Sequence, residues 1–147
     1  MRKLLLILLL QVTAATAQAA PQQSCAKEVG ATEVAYRLSE VPKDILADLM
    51  LMDKNMGDQG SPLVQTDAPS AEQLKWPTSR FLQALLINRT WYVQVEVSMM
   101  SGVRTMGYSR GSDGRHQRLS SRYYGGPACE TLRAAVKGVY NPGNFNF

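Results

Sequence analysis

Arginine is concentrated in one short stretch of this chain. Five arginines fall within nineteen residues with no lysine among them: Arg104, Arg110, Arg115, Arg118 and Arg122. The guanidinium group forms bidentate hydrogen bonds with carboxylates, phosphates and sulfates, whereas a merely solubilising surface would use lysine as well. Three tyrosines accompany the arginines, namely Tyr108, Tyr123 and Tyr124. The stretch therefore indicates a surface that binds anionic groups, and the competing interpretation is a solvated edge whose arginines reflect codon usage.

The only histidine, His116, lies in the same stretch, just after Ser112 and Asp113. A hydroxyl, a carboxylate and an imidazole are the components of a nucleophilic triad. A triad needs side chains held in a fixed geometry by a rigid scaffold, however, and residues this close along one loop rarely achieve it. Ser112 and Asp113 are common turn-forming residues. We therefore interpret the loop as structural and expect no catalytic residues in it. The predicted binding residues are Arg104, Tyr108, Arg110, Arg115, His116, Arg118 and Arg122.

The sequence predicts neither a metal nor a cofactor. One histidine and two cysteines do not supply the three or four converging ligands of a zinc or copper site. The carboxylates of Asp53, Asp58 and Asp67 are spaced too irregularly for a calcium-binding loop. The motifs of dinucleotide-binding proteins, P-loop proteins, zinc proteases and α/β-hydrolases are all missing from the sequence. Glu96 is more simply interpreted as the ion-pair partner of an arginine on a neighbouring strand than as one of two carboxylates that catalyse hydrolysis.

The two ends of the chain indicate export. Arg2 and Lys3 precede the apolar run Leu4–Leu10, and small residues follow as far as Ala19, which is typical of a secretory signal peptide. We predict a signal peptide over residues 1–19 and a single domain over residues 20–147. A lipoprotein is the alternative because Cys25 follows closely, although the residues before it match that processing poorly. In an oxidising compartment, Cys25 and Cys129 are expected to form a disulfide.

Charge is distributed unevenly along the chain. Residues 20–72 carry nine acidic and four basic side chains, a net charge of −5, whereas residues 73–147 carry ten basic and three acidic ones, a net charge of +7. In a protein predicted to reside in the periplasm or to be secreted, a basic half favours an acidic protein, an anionic glycan or lipid headgroups over nucleic acid.

The element that must position the arginines is a strand from Trp91 to Met100, in which apolar and polar residues alternate. A two-residue turn at Ser101–Gly102 would place Met106 opposite Val97, and a four-residue turn at Gly111–Gly114 would place Leu119 opposite Met106. This register predicts one apolar face and one solvated polar face. The predicted polar face comprises Gln94, Glu96, Ser98, Thr105, Ser109, His116, Arg118, Ser120 and Arg122.

Further elements complete the predicted fold. Alternation around Val34–Leu38 indicates a short strand, and Phe81–Ile87 indicates a strand buried on both faces, which turns at Asn88–Arg89. Apolar residues at steps of three and four predict a helix over Pro42–Met56 and another after Pro127. Ser70 and Gln73 match a helix capping box within the irregular segment Gly57–Pro77, which either covers a sheet edge or serves a site. We predict an α+β fold, an antiparallel β-meander of about four strands with two helices packed on one face.

These observations lead to one functional hypothesis and two alternatives. We expect a small exported envelope protein, monomeric or weakly dimeric, that acts as a non-enzymatic binding module of the inhibitor, immunity or accessory type for an acidic partner. The first alternative is a hydrolase of an envelope polymer or lipid that uses Asp113 and His116. The second is a periplasmic protein that binds a small ligand between its helices and its sheet.

Overall fold

The computed structural model describes residues 25–98, 102–119 and 126–138. Their five strands form one antiparallel sheet in sequence order, so the α+β meander is confirmed, with five strands where about four were predicted. The strands are β1 (Glu33–Ala35), β2 (Ser79–Ile87), β3 (Thr90–Val97), β4 (Val103–Arg110) and β5 (His116–Arg118). The helices are α1 (Lys43–Met52) and α2 (Ala128–Val136), with 3-10 turns at Leu38–Glu40 and Gln73–Lys75 and a helical segment at residues 25–28. The predicted signal peptide, Arg122, Tyr123 and Tyr124 lie outside the described residues.

Helix α1 covers one face of the sheet. Ile45 and Leu49 of α1 are fully buried against Trp91, Val93 and Val95 of β3. The helix ends at Met52, one turn before the predicted end at Met56, because Asp53 leaves it with extended backbone and accepts hydrogen bonds from the hydroxyl groups of Thr78 and Ser79. The apolar periodicity of the sequence does not reveal a tertiary contact of this kind.

Helix α2 covers the opposite face, so the expectation of a solvated polar face was wrong. Gln94 and Thr105 are both fully buried. The amide nitrogen of Gln94 donates hydrogen bonds to the Thr105 hydroxyl (3.0 Å) and to the Ala128 carbonyl (2.7 Å), and Thr131 of α2 bonds the same Thr105 hydroxyl (2.9 Å). Polar side chains that form hydrogen bonds with one another beneath a helix give the same alternating sequence pattern as a sheet face exposed to solvent.

The two helices therefore lie on opposite faces of the sheet, and not on one face as predicted. Around α2, Leu132 packs with Leu85 and Ile87 of β2 and with Cys25. The neighbouring Ala84 points to the α1 side, because successive side chains alternate between faces. The prediction that Phe81–Ile87 is buried on both faces is confirmed, and that strand already implied that both sides of the sheet are covered.

The β3–β4 pairing keeps the predicted face but not the predicted register. Met106 pairs with Val93 instead of Val97, and Tyr108 pairs with Trp91. A shift of four residues is even, so Met106 and Tyr108 still face α1. Across β2 and β3, the predicted partner of Glu96 is confirmed as Arg80, whose Nε lies 3.2 Å from the Glu96 carboxylate.

Two further predictions about the chain are confirmed. Cys25 and Cys129 form a disulfide with a Cα–Cα separation of 5.6 Å, which joins the first described segment to α2. Ser70 and Gln73 form the capping box, since the Gln73 N–H donates to the Ser70 hydroxyl (3.3 Å) and the Ser70 N–H to the Gln73 side chain (2.9 Å). In the described part of the chain, no helix is long and apolar enough to cross a bilayer.

Candidate functional site

The β4–β5 hairpin decides where the predicted binding residues point. Its loop has five residues, 111–115, and is closed by a hydrogen bond from the Gly111 N–H to the Arg115 carbonyl (2.8 Å). Arg110 consequently pairs with His116, one residue out of step with the predicted four-residue loop. An odd shift moves every side chain of a strand to the other face. The placement of His116 and Arg118 on the polar face, and of Leu119 opposite Met106, was therefore wrong.

His116 instead meets the first turn of α1. Its backbone N–H donates to Asp44 Oδ2 at 2.7 Å, and its ring Nδ1 lies 3.0 and 3.1 Å from the two carboxylate oxygens of Asp44. Burial raises the pKa of the Asp44 carboxyl, but the hydrogen bonds from His116, the charge of His116 and the Ile45 N–H outweigh it, and the pKa lies below its ordinary value. The contact anchors the start of β5 on α1.

One helical turn further along α1, the carboxylate of Asp48 contacts two side chains of the sheet. The Tyr108 hydroxyl donates to Asp48 Oδ2 at 2.8 Å, and Arg118 Nε lies 3.7 Å from the same oxygen. Arg118 Nη1 also lies 2.6 Å from the Met52 sulfur. Arg118 therefore lies against α1 beside a carboxylate, and this contact accounts for the side chain without any ligand.

Matched spacings explain why helix and strand meet residue for residue. Asp44, Asp48 and Met52 recur every fourth residue, which is a rise of roughly 6 Å along a helix. His116 and Arg118 are two residues apart, which is roughly 6.6 Å along a strand. We refer to these five residues as the α1–β5 row. Its two basic side chains on β5 face two carboxylates on α1, so each basic group of the row lies beside an acidic one.

The Asp44–His116 pair contains two components of a nucleophilic triad, but the hairpin does not supply the third. Asp113 is not the partner of His116, because its carboxylate accepts the Arg115 N–H at 3.0 Å. Among the described residues, no hydroxyl or thiol group hydrogen-bonds the His116 ring, whose side chain is 16% exposed. The contact between Asp44 and His116 holds β5 against α1.

The remaining hairpin arginines point away from the core. The carbonyl of Gly114 accepts a hydrogen bond from Arg110 Nε (2.9 Å), which orients that side chain, and both Arg110 and Arg115 are exposed. Neither forms an ion pair with another described residue. These two predicted binding residues keep their charge at the surface.

A third exposed arginine lies at the same end of the sheet. Thr90 pairs with Ser109, so the turn at Asn88–Arg89 is beside the end of β4. Arg89 is exposed and likewise forms no ion pair within the described ranges. We call the turn Asn88–Arg89 together with residues 110–115 the hairpin end. Its three arginines and the single carboxylate of Asp113 give it a net charge of +2.

The other predicted residues lie elsewhere. Arg104 pairs with Val95 near the far end of the sheet and faces a cavity beside α1, and Tyr108 is buried beneath α1. Arg122 lies outside the described residues. Within residues 25–98, 102–119 and 126–138, no group of three or more histidine, cysteine, aspartate or glutamate side chains is placed to hold a metal ion.

Sequence reasoning missed Asp44, Asp48 and Arg89. A signal for the two aspartates existed in their four-residue spacing on the polar side of a predicted helix, opposite a strand with basic residues two apart. Arg89 was treated only as a turn residue, because its proximity to Arg110 follows from the β3–β4 register and not from any local pattern. Comparisons with protein-family models, with curated proteins and with solved structures return no match for this chain.

Proposed function

We propose that this protein is an exported, non-enzymatic binding module that captures an acidic partner through the hairpin end. The observation that carries the proposal is the placement of Arg89, Arg110 and Arg115, which are all exposed at the same end of the sheet. Two other basic side chains of the hairpin, His116 and Arg118, lie beside carboxylates of α1. The hairpin end is therefore the part of the predicted arginine surface whose positive charge is not paired with a carboxylate of α1.

The local geometry suits recognition of carboxylates. Arginine presents a planar fork that bonds both oxygens of a carboxylate, and rigid placement of the fork reduces the entropy lost on binding. The β4–β5 loop is held by its own hydrogen bonds, and β5 is tied to α1 through Asp44. The arginines thus project from anchored strands.

An acidic protein surface is the partner class that we favour. Lipid recognition by charge typically uses clusters of about four to eight basic residues, and the hairpin end has three. The predicted signal peptide and the Cys25–Cys129 disulfide support a location in the envelope or outside the cell, where the partner would be met.

The test is binding of the exported, disulfide-bonded protein to defined anionic probes. Immobilised poly-glutamate stands for an acidic protein surface, and heparin and phosphatidylglycerol vesicles stand for the glycan and lipid alternatives. We expect poly-glutamate to retain the wild type at low salt and to release it as salt rises, because screening weakens exposed ion pairs. The double variant Arg110→Glu/Arg115→Glu is expected to bind at least about tenfold more weakly.

The matched control is Lys54→Glu/Lys75→Glu, which changes the net charge equally. Both lysines are exposed, one just after α1 and the other before β2, at the opposite end of the sheet. This variant is expected to retain most of the binding. Equal loss in both double variants would reduce the effect to net charge and end the proposal. Preferential retention on heparin or on vesicles would replace the protein partner with a glycan or a membrane.

A further inference from the structure

A cavity of about 420 Å³ lies between the end of α1 and the far end of the sheet. Its apolar wall is formed by Met52, Met56, Met106, Val95 and Val97. Small-molecule sites in proteins typically measure roughly 300 to 1,000 Å³ and have mostly apolar walls with a few polar groups. Helix α1 and strand β3 begin near the hairpin end and reach the cavity with their last residues, so the cavity lies apart from the proposed binding surface.

The cavity exists because α1 stops early. The chain leaves the helix at Asp53 with extended backbone, so α1 does not continue over the end of β3. Met106 is 5% exposed and forms the floor, whereas Met52 at the rim is 39% exposed. Methionine side chains are unbranched and polarizable, so a wall that contains three of them adapts to ligands of varied shape.

The hydroxyl groups that line the cavity are used by the protein itself. The carboxylate of Asp53, also in the wall, accepts hydrogen bonds from the Thr78 hydroxyl (3.2 Å) and the Ser79 hydroxyl. The Ser98 hydroxyl donates to the Val64 carbonyl. A ligand that needed one of these groups would have to break a hydrogen bond that the folded chain already makes, which cancels most of the gain.

The two charged side chains of the wall, Asp53 and Arg104, have opposite signs, so their formal charges sum to zero. Arg104 also interacts with another group of the protein, as Asp53 does. A charged ligand of either sign therefore meets one charge that attracts it and one that repels it. Among the described residues of the wall, the apolar side chains are what remains to recognise a ligand.

We propose that this cavity binds a neutral molecule with an unbranched alkyl chain, which lies along the methionine and valine wall while a small polar group stays at the rim beside Met52. Burial of the chain removes apolar surface from water and leaves the hydrogen bonds of the wall intact. An apolar cavity of about 150 Å³ accommodates benzene, so about 420 Å³ accommodates a chain on the order of ten carbons. The binding is independent of partner capture at the hairpin end.

Isothermal titration calorimetry of the intact, oxidised protein with hexanol, octanol and decanol tests the proposal. Each added pair of methylene groups is expected to raise the affinity about tenfold, because each buried methylene contributes roughly 0.8 kcal/mol. Failure of decanol to bind, or equal affinities for hexanol and decanol, would overturn the proposal.

Decanoate and decyltrimethylammonium carry a chain of the same length with a negative and a positive head. We expect neither to bind more tightly than decanol, because the wall has no net charge. An affinity at least about tenfold above that of decanol for either charged probe would show that the site selects a charge, and it would also overturn the proposal.

Two variants locate the site. Val97→Phe enlarges a half-buried side chain of the wall and is expected to weaken decanol binding at least about tenfold, because the ring occupies the space of the chain. Val34→Phe is the matched control, since Val34 is also half-buried in a strand but packs with the core on the α2 side. It should bind decanol like the wild type. Equal effects of the two substitutions would place decanol outside the cavity and end the proposal. If Val97→Phe loses its native circular dichroism, the alcohol series and the charged probes on the wild type still decide.

Discussion

At the scale of single residues, the most informative contact is that between Asp44 and His116. The Asp44 carboxylate accepts the backbone N–H of His116 and lies within 3.1 Å of the ring nitrogen, so one side chain anchors both the backbone and the side chain of β5. Asp48 repeats the arrangement with Tyr108 and Arg118. A histidine and an arginine that had the composition of a binding surface therefore stabilise the packing of strand on helix.

Asp44 makes stability depend on pH. Its pKa is lower in the folded chain than in the unfolded chain, so the unfolded chain takes up the proton first on acidification. The stabilisation is present above about pH 4 and is lost as the pH falls through the folded pKa. We expect Asp44→Asn to lower the free energy of unfolding by about 0.5–1 kcal/mol at pH 7, as for a partly exposed, screened pair.

Urea denaturation of the wild type and of Asp44→Asn between pH 3 and pH 7 measures this effect. The difference between the two proteins should shrink below about pH 4. Asp67→Asn, which alters an exposed loop carboxylate, serves as the control and should track the wild type throughout. A difference that stays constant at all pH values would mean that the charge of Asp44 contributes nothing.

At the scale of elements, the turn of the β2–β3 hairpin holds an arginine in a backbone conformation that is unfavourable for this residue type. Ile87 pairs with Thr90, so Asn88 and Arg89 form a two-residue turn, and their φ values are 48° and 65°. The strand twist favours positive φ at both positions of such a turn. Asparagine tolerates this conformation, whereas for an arginine its Cβ crowds the following carbonyl oxygen.

We expect Arg89→Gly to raise the free energy of unfolding by about 0.5–1 kcal/mol, because glycine adopts positive φ without a steric cost. Thermal and urea denaturation measure the gain. Asn88→Gly is the comparison and should stabilise less, since asparagine already tolerates the turn. A destabilised Arg89→Gly variant would indicate that the arginine side chain contributes more than the strain of its backbone costs.

The elements also show what a sequence pattern can and cannot predict. Strand β3, the stripe of α1 and the buried strand β2 were all predictable, because periods of two and of about 3.6 residues report which side chains share a face. Which face receives α2 was not predictable from Gln94 and Thr105, whose hydrogen-bond partners Ala128 and Thr131 are more than twenty residues away in sequence. The end of α1 at Met52 depended in the same way on the hydroxyl groups of Thr78 and Ser79, at the start of β2.

At the scale of the whole molecule, one covalent link connects distant parts of the chain. The Cys25–Cys129 disulfide joins residues 104 positions apart and lies in the core formed by α2 and the sheet. A loop of this length removes much conformational entropy from the unfolded chain. The paired Glu28 and Arg133 tie the same two segments through hydrogen bonds of 2.7 and 2.8 Å.

Replacing both cysteines by serine is expected to lower the free energy of unfolding by about 2–5 kcal/mol. Urea denaturation of the oxidised wild type and of Cys25→Ser/Cys129→Ser measures the loss, and hydrogen exchange should show α2 opening before the central strands. Addition of a reductant to the wild type should reproduce the effect and leave the double variant unchanged. Unaltered stability in the variant would mean that noncovalent packing alone holds α2 in place.

The amino-acid sequence by itself determined the alternating strands, the apolar stripes of the helices, the pairing of the two cysteines and the concentration of arginine near the hairpin, because each follows from local periodicity or composition. Only the tertiary structure decided which arginines lie beside carboxylates of the same chain. One additional residue in the 111–115 loop turns β5 over and brings His116 and Arg118 against the carboxylates of α1, while the β3–β4 register brings Arg89 beside Arg110. Loop length and strand register are set by long-range packing, and a shift of a single residue exchanges the two faces of a strand.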